Sequence, residues 1–189
     1  MTEQSFPWSL ETMLGSCGVW KEEARLLNLD PDGPCNIGVL CSDRHVALGR
    51  GGDPALIWEG SSQEKRTYTF ADLARLSDGF AALLQQMGLV AGDRVALFLD
   101  RVPQLYIAFL GILKAGGVVV PLFSAFGPDA LAVRIGNAGA RFILTQQRLL
   151  ARVRKIRPQV PDLVHLLVVD GDVSRLKAGE TIWDMDASM

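Results

Sequence analysis

The stretch 94–121, RVALFLDRVPQLYIAFLGILKAGGVVVP, decides the fold. Arg94 to Leu99 is a short, almost unbroken apolar run, as expected of a strand covered on both faces. Pro103 then opens a helix that closes near Lys114-Ala115-Gly116, with proline just inside the start and glycine past the end. Val118-Val119-Val120-Pro121 is the next strand. A strand, a crossover helix and a second strand make a parallel pair. The helix carries Leu105, Tyr106, Ile107, Phe109, Leu110, Ile112 and Leu113, so its surface is apolar nearly all round and burial on most sides is expected.

The same alternation continues outward. Downstream, Pro128 to Asn137 reads as a helix, Arg141 to Leu144 as a strand, Gln146 to Ile156 as a helix and Leu163 to Val169 as a strand. The tail from Asp170 is weakly patterned, with Thr181-Ile182-Trp183 as a short element. Upstream, Ala55 to Glu59 and Arg66 to Phe70 read as two strands joined by a hairpin loop, Gly60 to Lys65. Thr69 caps a helix whose apolar face is Leu73, Leu76, Phe80, Leu83, Leu84 and Met87, and Gly88 stops it. The fold class is α/β, a parallel sheet flanked by helices on both faces. Before it, Gly18 to Leu29 and Asn36 to about Leu48 read as helices separated by the breaker Asp30-Pro31-Asp32-Gly33-Pro34. Residues 1–52 are therefore expected to be an N-terminal helical extension, and residues 53–189 the α/β part.

Composition excludes several classes. The chain has 189 residues, a net charge of −2 and 49% hydrophobic residues, which fits one sizeable core and gives no pull toward nucleic acid. No apolar run is long enough to span a bilayer, and the first ten residues lack the apolar core of a signal peptide. Three cysteines, Cys17, Cys35 and Cys41, form no CxxC pair, which suits a reducing, cytoplasmic setting.

The bottom-up chemistry is thin. No glycine-rich run ends in a lysine, and Gly49-Arg50-Gly51-Gly52-Asp53 follows a helix rather than a strand, which makes it a turn rather than a phosphate loop. His45 and His165 have no partner at metal-ligand spacing. The densest charge cluster is Arg148, Arg152, Arg154, Lys155 and Arg157. Arg148, Arg152 and Lys155 fall on one helical face, opposite the stripe Leu149, Leu150, Val153 and Ile156. A solvated basic face is the plainer reading; phosphate recognition is the other, since guanidinium forks suit phosphate.

Six segments in order resemble the adenylate-forming acyl-CoA synthetases, and acetyl-CoA synthetases among them. They are Asp43-Arg44-His45-Val46-Ala47, Ala55-Leu56-Ile57-Trp58-Glu59-Gly60 and Thr67-Tyr68-Thr69-Phe70-Ala71-Asp72-Leu73, then Gly92-Asp93-Arg94-Val95-Ala96, Leu113-Lys114-Ala115-Gly116-Gly117 and Pro121 to Pro128. The resemblance covers about Asn36 to Leu150. It implies the N-terminal portion of an AMP-forming ligase: a carboxylate attacks ATP to give an acyl-adenylate and pyrophosphate, and the CoA thiol then displaces AMP. It leans toward acetate or another short acid. It also implies that the phosphate loop, the adenine and ribose motifs and the catalytic lysine lie outside these 189 residues. ATP and Mg would then serve only a complete enzyme, no catalytic residue is expected here, and the chain alone is expected to be inactive. A non-catalytic binding or interaction module on the same fold is the alternative.

One site of the family is implied in part. The CoA nucleotide would lie against Phe123, Ser124 and Ala125, with Arg154 near its 3′-phosphate. The second arginine of the family's pair falls on Ala151, with Arg152 beside it. Arg152 points about 160° away from Arg154 around an ideal helix, so a two-arginine clamp is not expected. By its usual burial Phe123 on its own reads as a core residue rather than a stacking platform. The resemblance further implies that this region packs on a second sheet domain, so that the chain alone would self-associate or expose an apolar surface.

Overall fold

A computed structural model describes Ala24 and residues 35–185. The helix expected at Gly18 to Leu29 lies outside the described residues apart from Ala24. Five strands form one parallel sheet: β3 (Arg94–Leu99), β4 (Val118–Phe123), β5 (Phe142–Thr145), β6 (His165–Val168) and β7 (Glu180–Ile182). Their order is β4-β3-β5-β6-β7. A two-stranded antiparallel hairpin, β1 (Pro54–Glu59) and β2 (Lys65–Thr69), stands before the sheet in the chain. The helices are α1 (Ile37–Cys41), α2 (Phe70–Gln86), α3 (Pro103–Lys114), α4 (Pro128–Ala138) and α5 (Gln147–Ile156).

Strand alternation sorts the core into two layers. Val95, Leu97 and Leu99 face one side, where they pack with Phe80 and Leu84 of α2 and Ile107 and Ile112 of α3. Ala96 and Phe98 face the other, against Leu131 and Ile135 of α4 and Leu149 and Val153 of α5. All of these side chains are buried. β3 is an interior strand, between β4 and β5, so every one of its residues from Val95 onward is covered, and the unbroken apolar run follows from that. The α2–α3 contact is close: a Cβ on Gly111 would lie 2.7 Å from the Ser77 carbonyl oxygen and 3.0 Å from Phe80.

The motif Gly92-Asp93-Arg94 is a structural joint. Gly92 turns the chain with φ +86°. The Asp93 carboxylate accepts from the Val90 backbone N–H at 3.0 Å and from Arg141 at 2.6 Å. Arg94 donates to the carbonyls of Ala138 and Gly139, at 2.7 and 2.8 Å, and so satisfies the C-terminus of α4.

Two expectations are corrected. First, the helix expected from Asn36 to Leu48 is broken. α1 ends at Cys41 because buried Ser42 turns its hydroxyl back to the Gly38 carbonyl at 2.7 Å, and the backbone leaves the helical region there. A short turn, Asp43–His45, and a wider one, Val46–Arg50, follow. Second, β4 runs two residues past Pro121. A proline is tolerated there because β4 is an edge strand. α3 is covered on most sides and leaves one apolar strip in water: Tyr106 and Phe109 remain 42% and 39% exposed. The opposite side of α3 is closed by α2, and by the docking of residues 36–43. Asn36 donates to the Leu113 carbonyl at 2.8 Å, and the buried Lys114 ammonium meets Asp43 at 2.5 Å and Asp78 at 2.8 Å.

Candidate functional site

The strand order reverses at β3. The connection through α3 places β4 on one side of it, and the connection through α4 returns β5 to the other. Ligands of open α/β sheets sit outside the carboxyl ends of the strands near such a reversal. Two buried polar side chains fix the backbone there. The Thr145 hydroxyl donates to the Phe98 carbonyl at 3.0 Å, and the Gln146 side-chain oxygen accepts from the Asp100 backbone N–H at 2.7 Å.

A cleft of about 640 Å³ opens at the carboxyl ends of β3 and β4. Its floor is Leu99 and Leu122, and its walls include Trp58, Glu59, Asp100, Arg101, Phe123 and Ser124. The hairpin supplies one wall because the Trp58 indole N–H donates to the Arg101 carbonyl at 2.6 Å. A smaller space of about 180 Å³ lies against the other side of Trp58, lined by Arg66, Gln104, Gln146 and Asp170 among others.

Phe123 is 63% exposed at the end of β4, which overturns the core reading of its ring. The backbone then turns: the Phe126 N–H donates to the Phe123 carbonyl at 2.9 Å. Ser124 lines the cleft beside Phe123, while Ala125 is exposed on the turn. The Phe126 ring meets Phe123 edge-on at 5.8 Å, and the Arg134 guanidinium lies 4.2 Å over its face.

The arginines of α5 divide as their helical positions require. Arg148 pairs with Asp100 in the cleft wall. Arg152, one turn on, donates to the carbonyls of Ser124 and Phe126, at 2.8 and 3.3 Å. Arg154 faces elsewhere. Its fork closes on Glu180, with Nε to Oε1 at 2.8 Å and Nη2 to Oε2 at 2.6 Å, and Nη2 also donates to the Arg175 carbonyl at 2.9 Å. The Glu180 side chain is 1% exposed and that of Arg154 is 27% exposed. The hydrogen bonds from Arg154 hold the Glu180 carboxyl below its ordinary pKa, and the same contact raises that of Arg154. Thus Phe123 and Ser124 are together in one cleft, and Arg154 is engaged with β7.

Sequence reasoning missed the cleft's far wall, formed by Glu59, Asp100 and Arg101, and the grip of Arg152 on the turn. The signal for Arg152 was its helical position relative to Arg148, four residues earlier. Neither histidine stands with a metal-ligand set: His45 stacks on Phe70 at 4.1 Å and His165 on Phe142 at 4.5 Å. Among the described residues no group of three or more His, Cys, Asp or Glu side chains is placed to hold a metal ion, and no helix is long and apolar enough to cross a membrane.

Known proteins agree with this architecture. The chain is 37% identical over 146 residues to an acetyl-coenzyme A synthetase of Deinococcus radiodurans, covering 72% of this chain and 22% of that one. It is 32% identical over 194 residues to that of Streptomyces coelicolor, covering 88% and 29%. It therefore spans less than a third of the length of these relatives. An acyl-CoA synthetase of Brucella canis has the same fold over 89% of this chain and 30% of its own, with a TM-score of 0.77 and 28% identity. An anthranilate CoA ligase crystallised with anthranoyl-AMP shares the fold at a TM-score of 0.70 and 21% identity. The sequence model of the AMP-binding enzyme family matches residues 43–186, which takes in the hairpin, the whole parallel sheet and the cleft, and the chain belongs to that family.

Proposed function

We propose that this chain serves as the N-terminal part of an AMP-forming acetate or short-chain acyl-CoA ligase, and that its cleft receives part of CoA. The observation that carries this is the exposed Phe123 ring beside a 640 Å³ cleft at the carboxyl end of the sheet. The CoA nucleotide would lie against Phe123, Ser124 and Ala125. Arg154 reaches a phosphate only by giving up Glu180, because its fork is filled by that carboxylate. In this reading residues 1–52 are an extension ahead of the ligase fold, and residues 53–189 contribute the α/β part.

The adenylation step needs groups that position a triphosphate and stabilise its developing charge. The 189 residues hold no glycine-rich phosphate loop closing on a lysine. ATP and Mg binding therefore belong to the rest of the enzyme, and the chain alone is inactive. The rest of the ligase, or a second copy of this chain, covers the apolar strip at Tyr106 and Phe109. An open groove of about 230 Å³ runs beside that strip, lined by Cys41, Ala55, Leu56, Leu73 and Leu110. The setting is cytoplasmic.

The test is reconstitution. The chain is mixed with the remainder of a related acetyl-CoA synthetase, and thioester formation from acetate, ATP and CoA is followed. Activity in the mixture and in neither part alone supports the reading. No activity under conditions where the two parts co-purify counts against it.

A further inference from the structure

We infer that Arg152 is the positioning residue of the Phe123 face: it holds the turn that presents the ring, and it does so through the backbone rather than by touching a ligand. Phe123 is a large exposed aromatic residue at the last position of an edge strand, paired with Leu99, so the strand sets the face it leaves from while nothing further along the strand steadies it. What holds this end of the strand in place is the four-residue turn that follows. That turn closes with a single backbone bond, from the Phe126 N–H to the Phe123 carbonyl.

Two outside groups brace it. Nη1 of Arg152 reaches across from α5 to the carbonyls of Ser124 and Phe126, which have no strand partner beyond the end of β4. Arg134, on α4, covers the Phe126 ring, and that ring in turn backs Phe123 edge-on. Arg152 is half-buried, so its bonds are partly shielded from water. The neighbouring arginines are committed to other tasks: Arg148 to Asp100, and Arg154 to Glu180. A stacking surface binds better when it is already ordered, because the ligand need not supply the ordering. Arg152 thus sets how much of the Phe123 face is preformed. The inference that this matters for CoA rests on the proposed function; the positioning of the turn does not.

The experiment therefore has two arms. In the first, amide hydrogen exchange is measured on the wild-type chain, Arg152→Ala and Arg152→Lys without any ligand. Loss of two bonds from a charged donor should speed exchange at the Phe126 amide by at least about tenfold in Arg152→Ala. Core amides such as those of Leu97 and Phe98 should be unchanged, and Arg152→Lys should fall between wild type and Arg152→Ala. An unchanged Phe126 amide in Arg152→Ala overturns the inference, and so does an acceleration spread evenly over the sheet.

In the second arm, CoA and dephospho-CoA are titrated into the same three proteins. A positioning role weakens both ligands by the same factor in Arg152→Ala, with partial recovery in Arg152→Lys. Selective loss of CoA affinity would make Arg152 a direct phosphate ligand and overturn the inference. If wild type binds neither ligand, the CoA reading of the cleft fails, and the exchange arm still decides whether Arg152 holds the turn.

Discussion

Replacing Arg154 by alanine should strongly destabilise the chain, and the structure says why. The substitution removes both charge-assisted bonds to Glu180 and the bond to the Arg175 carbonyl. It leaves a carboxylate that is 1% exposed with only the Lys177 backbone N–H, at 2.9 Å, as a remaining donor. Removing one partner of a buried ion pair costs about 3–5 kcal/mol. Arg154 is itself 27% exposed, so water partly replaces it, and the low end, about 3 kcal/mol, is expected. That is a large fraction of the 5–15 kcal/mol typical of a domain. Urea unfolding read from tryptophan fluorescence is a suitable assay. Trp183 is buried against Phe80 with ring centres 4.2 Å apart, so its emission reports this edge of the sheet. The double variant Arg154→Ala, Glu180→Ala should be more stable than Arg154→Ala alone, since no orphaned charge remains. The pH dependence follows from the lowered pKa of Glu180. A carboxyl whose folded pKa is depressed contributes stability above its unfolded value, 4.5, and loses it as pH falls through the folded value. The gap between wild type and Arg154→Ala should therefore narrow as pH falls below 4.5 toward the folded pKa. A cost for Arg154→Ala under about 0.5 kcal/mol, the level of ordinary surface changes, would refute the reasoning.

Other outcomes follow from single contacts. Gly111→Ala puts a Cβ 2.7 Å from the Ser77 carbonyl oxygen and should cost about 1–3 kcal/mol by overpacking α2 against α3, measured as a lowered urea midpoint. His165 has its pKa lowered, by burial first and by Arg141 second, so as pH falls the unfolded chain takes up this proton before the fold does. Stability should thus fall as pH drops through 6.5 toward the folded pKa, and the fall should shrink in His165→Gln; an equal fall in both clears His165 of the effect. The isolated chain should show no acetate-dependent ATP–pyrophosphate exchange, and exchange above a heat-killed control would contradict the assignment of adenylation to the rest of the ligase. Light scattering over a dilution series should show association through the Tyr106–Phe109 strip; a clean monomer that ignores a hydrophobic dye would mean the strip needs no cover.

Much of the fold was legible because its signals are local. β3 and α3 run between the residues their sequence names, Arg94 to Leu99 and Pro103 to Lys114. Proline at one end, glycine past the other and an unbroken apolar run leave few alternatives. The break at Ser42 was not legible, because it depends on a hydroxyl turning back to its own helix rather than on any breaker residue. For α3, an all-round apolar surface shows that the helix wants cover, and only the tertiary arrangement shows that Tyr106 and Phe109 are the side left in water. At the site, the resemblance pointed to Phe123 and Ser124, which share the cleft. The contacts of Arg152 and Arg154 join residues more than twenty positions apart, and no sequence period encodes such pairings.

The central claim, that this cleft receives part of CoA at Phe123, is tested most directly by calorimetric titration of CoA into the wild-type chain and Phe123→Ala. Weak binding is expected for wild type, with a dissociation constant in the millimolar range, about 4 kcal/mol. Phe123→Ala removes an exposed ring and should leave the fold intact while losing most of that affinity. Equal affinities in the two proteins would contradict the account.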